Sequence, residues 1–136
     1  MKTKFLYVLP IIIIVFAGVF LYWNHLDYNS ATKHETDRWA VIRDVDGNVL
    51  AVETTSEDVW TQLVQLNQNG TRMWVGGEVD RYDNKWGFRF KPQTIIIAQF
   101  TIEGAQATIS FISEDIDYWI NFGITYVGSK VVNIHQ

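Results

Sequence analysis

The sequence predicts an α+β domain, in which a mostly antiparallel sheet of about six strands packs against two helices, preceded by one transmembrane helix. Three observations support this prediction. A run of nineteen uncharged residues lies near the N-terminus, several later segments alternate apolar and polar residues, and two others repeat apolar residues at helical spacing. The resulting order β-β-α-β-β-β-α-β favours an antiparallel sheet with helices packed on it.

The uncharged run from Phe5 to Trp23 is predicted to be a transmembrane signal anchor. Nineteen helical residues span about 28 Å, which matches one hydrocarbon core. Lys2 and Lys4 precede the run, so the positive-inside rule places residues 1–4 in the cytoplasm. A cleaved signal peptide is the alternative, although this run is longer than usual for one and ends in bulky side chains.

The rest of the chain is predicted to be a polar tether at 24–37 and an extracytoplasmic domain at 38–136. From Thr36 onward there are eight Lys or Arg and thirteen Asp or Glu, a formal charge of −5, which argues against nucleic acid as a partner. The chain has no cysteine, which excludes disulfides and thiol chemistry.

The domain is predicted to begin with a β-hairpin. Apolar-rich runs at 39–45 and 49–54 flank Asp46-Gly47-Asn48, where glycine supplies the positive φ angle of a tight turn. Asp44, Asp46 and Asn48 also resemble the start of a calcium loop. The glutamate at the twelfth position and the flanking helices of an EF-hand are missing, so the hairpin is the preferred interpretation.

A first helix is predicted to follow, opened by the capping and acidic residues of Thr55 to Asp58. Gly70 marks its end. Its core-facing stripe consists of Val59, Trp60, Leu63 and Leu66. Asn69-Gly70-Thr71 is also a candidate glycosylation site at Asn69.

Two strands are predicted in the middle of the domain. The first runs from Arg72 to Asp80, and Gly76-Gly77 indicates a bulge or a close backbone approach. In the second, which Pro92 ends, an aromatic face alternates with a basic one. The aromatic face is Trp86, Phe88 and Phe90, and the basic face includes Arg89 and Lys91.

The last third is predicted to contain a central strand, a helix and a final strand. Thr94 to Ile102 is apolar on both faces, as a covered central strand is. From about Ala105 the spacing becomes helical, until Gly123. The apolar stripe of this helix is Ile109, Ile112, Ile116 and either Trp119 or Ile120. The final strand runs from Ile124 to Ile134, with a bend at Gly128.

The segments Val75 to Val79, Asp83 to Pro92 and Ile95 to Glu103 resemble a family of small secreted domains, the cAMP-inducible prespore protein N-terminal domain. The resemblance covers most of the chain from Trp39 on. It implies a fold like that of the family but no particular function. The matching positions are Trp86, Phe88, Pro92, Glu103 and Ala107. The family tends to have His, Asp, Cys and Asp where this chain has Arg89, Lys91, Ala105 and Gln106, so no disulfide, metal or acid chemistry is carried over.

Carboxylates are the candidate chemical groups of the domain. Glu78, Asp80 and Asp83 surround a polar loop at 80–85, and with Glu103 they suit a cation or an acid-base site. Arg89 and Lys91 suit an anionic ligand or an acidic partner. Solvated strand-edge positions are the simpler interpretation of all six residues. No metal site and no cofactor is predicted.

No convergent catalytic set is visible. The three histidines lie in the tether and next to the C-terminus, and no serine has a histidine partner in a nucleophile motif. The sequence therefore favours a non-catalytic interaction or structural domain, anchored in the bilayer and meeting protein partners at the outer membrane face. The alternative is an extracytoplasmic domain that binds a cation or a glycan, or a weak hydrolase.

Overall fold

A computed structural model of the chain describes residues 36–101 and 104–136. The elements, in chain order, are β1 (Trp39–Asp44), β2 (Val49–Val52), α1 (Glu57–Asn69), β3 (Met73–Arg81), β4 (Phe88–Phe90), a 3-10 turn (Pro92–Thr94), β5 (Ile96–Ala98), β6 (Gln106–Ala107), α2 (Ile109–Glu114), α3 (Ile116–Phe122) and β7 (Ile124–His135). The predicted α+β class is confirmed. Over the described residues there are seven strands and three helices, rather than about six and two.

The predicted anchor at 5–23 and most of the predicted tether lie outside the described residues. None of the helices within 36–101 and 104–136 has both the length and the apolar character that a membrane span requires.

The strands form one sheet in the order β2-β1-β7-β3-β4. The second half of β7 pairs with β1 and its first half with β3, both antiparallel, while the short β6 pairs with β7 in parallel. A register shift in the β1–β7 pairing lies between Val41 and Ile42. The C-terminal strand therefore holds the centre of the sheet.

The N-terminal hairpin and the first helix are confirmed. Gly47 has a φ of 83° in the hairpin turn, as the sequence required. The side chain of Ser56 accepts the N–H of Val59 at the start of α1, and Gly70 ends the helix in the left-handed conformation. α1 packs on β7, and its buried side chains are Trp60, Leu63 and Leu66.

The sheet is curled, so that its edge strands β2 and β4 contact each other around the core. Trp86 donates its indole N–H to the carbonyl of Val49 at 2.7 Å across this contact. Trp86 was predicted to lie in strand β4, but it lies in the preceding turn. There the side chain of Asn84 accepts the backbone N–H of Trp86. The largest fully buried side chains of the core include Phe88, Phe90, Ile42, Leu50, Leu63, Ile109 and Ile112.

The strand predicted at 94–102 is shorter than expected in the described part of this segment, and it is not central in the sheet. Ile96–Ala98 form the strand β5, which among the described residues pairs with β3 alone, and Ile96 is exposed. The 3-10 turn before β5 stands where the strand was predicted to begin. The hydroxyl of Thr94 stabilises this turn, because it donates to the carbonyl of Lys91 and accepts the N–H of Glu78. The segment therefore returns to β3 as an edge strand.

The predicted second helix is divided into α2 and α3. Thr108 caps α2 by accepting the N–H of Phe111, and Asp115 ends α2 and caps α3 by accepting the N–H of Tyr118. Competing side-chain hydrogen bonds of this kind are a common reason why acidic residues interrupt helices. Trp119 faces the core, whereas Ile120 is exposed.

Candidate interaction surface

An exposed cluster of aromatic rings covers α2 and α3. Phe111 is 55% exposed, Tyr118 53% and Phe122 42%, while Trp119 beneath them is buried. The Trp119 ring lies 5.9 Å from that of Phe111, 4.9 Å from that of Tyr118 and 5.4 Å from that of Phe122, centroid to centroid, in edge-to-face arrangements. A buried tryptophan thus orients three exposed rings. We call these four residues the aromatic surface.

Phe111 lines two open grooves. The central groove has a volume of about 400 Å³ and is lined by Val45, Trp74, Gln106, Ala107, Thr108, Phe111 and Gly128. The second groove, of about 470 Å³, extends along Tyr118 and Trp119 and carries the carboxylates of Glu114 and Asp115. Both volumes lie in the range of binding clefts.

The floor of the central groove depends on Gly128. A Cβ atom added at this position would lie 3.0 Å from the nearest atom of the Trp74 ring, its cross-strand neighbour. The missing side chain therefore allows the indole to lie close over the backbone of β7. This leaves the six-membered ring of Trp74 available as a flat apolar floor.

A buried carboxylate joins this surface to the sheet. Asp44 is 3% exposed, and its Oδ2 accepts the N–H of Ile109, the first residue of α2, at 2.9 Å. Its Oδ1 accepts the N–H groups of Asp46 and Asn48, both at 3.0 Å. The residue that resembled the start of a calcium loop thus uses both oxygens on backbone amides, and it holds the hairpin turn and α2 together.

The carboxylates and cations predicted as a site lie on β3 and β4. Asp80 and Arg89 are cross-strand partners, and the Nε atom of Arg89 lies 3.5 Å from Oδ2 of Asp80. The Nζ atom of Lys91 lies 3.5 Å from Oε2 of Glu78. The guanidinium of Arg89 also lies 4.5 Å from the centroid of the Tyr82 ring. Phe88 and Phe90 point to the core on the opposite face, which confirms the predicted alternation. These charges neutralise one another across the strands and leave no converging set of carboxylates.

Asp83 is exposed in the turn after β3, and Glu103 is outside the described residues. Asn69 is exposed at the end of α1, where its side-chain oxygen accepts the N–H of Thr71 at 2.9 Å. No group of three His, Cys, Asp or Glu side chains within 36–101 and 104–136 is arranged to hold a metal ion.

The aromatic surface was not predicted from the sequence, although a signal was present. Phe111, Tyr118 and Phe122 are spaced by seven and four residues, which places them on one helical face that is separate from the buried stripe. The polar neighbours Ser110, Ser113 and Asp117 concealed this second stripe.

Comparison with known proteins adds no assignment. No protein-family model matches the chain, and no curated protein or solved structure matches it. The resemblance to the prespore protein N-terminal domain therefore stays a prediction, and the geometry of the surface is the basis for a functional proposal.

Proposed function

We propose that this chain is a membrane-anchored, non-catalytic interaction domain that binds a partner protein through the aromatic surface at the outer face of the membrane. The observation that carries the proposal is the group of three exposed rings held on the buried Trp119. Large contiguous apolar patches are rare on soluble domains and commonly mark interaction sites.

The geometry suits binding better than chemistry. Aromatic side chains are enriched at the centres of protein interfaces, and rings that are already ordered lose little conformational entropy when a partner covers them. The carboxylates of β3, by contrast, are paired with Arg89 and Lys91. They therefore offer no specific support for the alternative of a cation site, a glycan site or a hydrolase.

The location rests on the uncharged run, the lysines before it and the polar tether. We expect protease added to intact cells to remove the domain, because a signal anchor of this polarity exports the C-terminal part of the chain. Immunoblotting with an antibody against the C-terminus measures this, and an antibody against a cytosolic protein provides the control. A domain that is degraded only after the membrane is permeabilised would contradict the proposed location.

The partner interaction is tested with the double variant Phe111→Ser/Tyr118→Ser in the full chain. We expect the partner that photo-crosslinks from a benzophenone at Phe122 to be lost by at least about tenfold, because truncated aromatic residues at an interface centre each cost about 2 kcal/mol or more. Both side chains are more than half exposed, so the fold should persist. Circular dichroism of the purified variant checks this.

Phe100→Ser is the matched control, since Phe100 is 86% exposed and lines neither groove. It should leave the crosslinked product unchanged. Equal crosslinking by the double variant and the wild type would overturn the proposal.

A further inference from the structure

Three basic side chains that form no ion pair within the described residues lie at one end of the central groove. In the antiparallel register, Arg43 on β1 and Lys130 on β7 are direct partners, and Arg72 precedes Met73, the β3 partner of Ser129. Arg72 also donates from Nη1 to the carbonyl of Gly128 at 3.2 Å. We call Arg43, Arg72 and Lys130 the cation row.

The cation row and the central groove share one face of the sheet. Asp44 and Ser129 are buried towards the core, so their chain neighbours point to the opposite face. Arg43 and Lys130 are therefore on the same face as Val45 and Gly128, which line the groove. All three cations are exposed.

The cation row differs from the other basic residues of the domain. Arg38, Arg81, Arg89 and Lys91 each form an ion pair with a carboxylate, and Lys85 lies over the ring of Trp86. No ion pair joins a member of the cation row to any other residue of the described ranges. Like charges directly opposite in a sheet are unfavourable, so Arg43 and Lys130 would gain from an anionic ligand.

Resting on the proposed function, we propose that the partner presents an acidic and apolar peptide segment. Its apolar side chains fill the central groove between Trp74 and Phe111, and its carboxylates meet the cation row. Aromatic and guanidinium groups are the commonest hot spots of such interfaces.

The distribution of charge favours a peptide over a lipid surface. Glu114 and Asp115 line the second groove and not the central groove, and the domain carries a formal charge of −5. An anionic bilayer would be repelled by these carboxylates and by the domain as a whole. A peptide segment with acidic residues at one end satisfies the cations and avoids the carboxylates.

The test uses the full chain in nanodiscs of uncharged lipid and a display library of ten-residue peptides. Every peptide carries two Leu or Phe residues next to two Asp or Glu residues, and a sister library carries Asn or Gln instead of the acids. We expect wild type to enrich the acidic library at least about tenfold over the amide library, and to lose this preference in high salt.

The variant Arg43→Gln/Lys130→Gln should bind the selected acidic peptides at least about tenfold more weakly. Lys85→Gln/Lys91→Gln removes the same charge elsewhere on the surface and should bind as wild type does. Equal enrichment of the two libraries, or equal loss in both variants, would overturn the inference. So would binding to vesicles of phosphatidylcholine and phosphatidylserine that exceeds binding to the peptides.

The two proposals fail separately. If Phe111→Ser/Tyr118→Ser abolishes crosslinking in cells while the glutamine variant of Arg43 and Lys130 retains it, the interaction surface stands and its acidic partner chemistry is wrong. If neither variant changes crosslinking, both proposals fail.

Discussion

Replacing Gly76 by alanine is expected to destabilise the domain by at least about 3 kcal/mol. A Cβ atom at this position would lie 2.3 Å from the carbonyl oxygen of Thr125 and 2.8 Å from the ring of Tyr126 on β7. Backbone atoms cannot rotate away as a side chain does, so β3 and β7 must separate. This pairing joins the two halves of the sheet, and its loss affects the whole domain.

Guanidinium titration of the full chain in mild detergent, followed by tryptophan fluorescence, measures this effect. Gly128→Ala is the matched control on the same pair of strands. The Cβ atom there would meet only the ring of Trp74, at 3.0 to 3.4 Å, and a side chain is able to tilt. We expect a loss of about 1 kcal/mol for this variant. Equal midpoints for Gly76→Ala and wild type would refute the close approach.

Asp44→Ala is expected to cost about 3 to 5 kcal/mol. The substitution leaves the N–H groups of Asp46, Asn48 and Ile109 without their acceptor, and the hydrogen bond to Ile109 is buried. Because the same carboxylate holds α2 against the hairpin, the aromatic surface should lose its order together with the turn. Hydrogen exchange at the amides of Asn48 and Ile109 reports the two ends separately.

Two further variants separate charge from shape at this position. Asp44→Asn retains one oxygen acceptor but replaces the other oxygen by an N–H₂ group, so we expect an intermediate loss of about 1.5 to 3 kcal/mol. Asp46→Asn, on an exposed neighbour, should change the free energy of unfolding by less than about 0.5 kcal/mol. If Asp44→Ala and Asp46→Asn had the same midpoint, Asp44 would have no structural role.

The resemblance of Asp44, Asp46 and Asn48 to a calcium loop, and the acidic residues around the loop at 80–85, show how carboxylates mislead a sequence-based search for sites. The carboxylate of Asp44 accepts hydrogen bonds from backbone N–H groups. Asp80 is paired with Arg89, and Glu78 with Lys91. Arg89 lies nine residues after Asp80, Lys91 thirteen residues after Glu78, and Ile109 65 residues after Asp44. No local pattern shows which carboxylates are already satisfied.

Elements with strong local signals were predicted correctly. The turn at Gly47, the capped helix α1 with its end at Gly70, and the alternation of Phe88 and Phe90 with Arg89 all depend on neighbours within a few residues. The error at Thr94 arose from a hydroxyl that bonds to Lys91 and Glu78 at once, and the error at Asp115 from a side chain that caps a new helix.

Local chemistry thus specified the elements of this domain: hydrophobic period, capping side chains and glycines with positive φ act over one or two turns of chain. The order of the strands, the central place of β7 and the exposure of Phe111, Tyr118 and Phe122 depend on which faces remain uncovered once distant segments pack. Apolar rings have the same sequence signature whether they are buried or displayed. Long-range packing alone buries Trp119 and leaves its three neighbours at the surface.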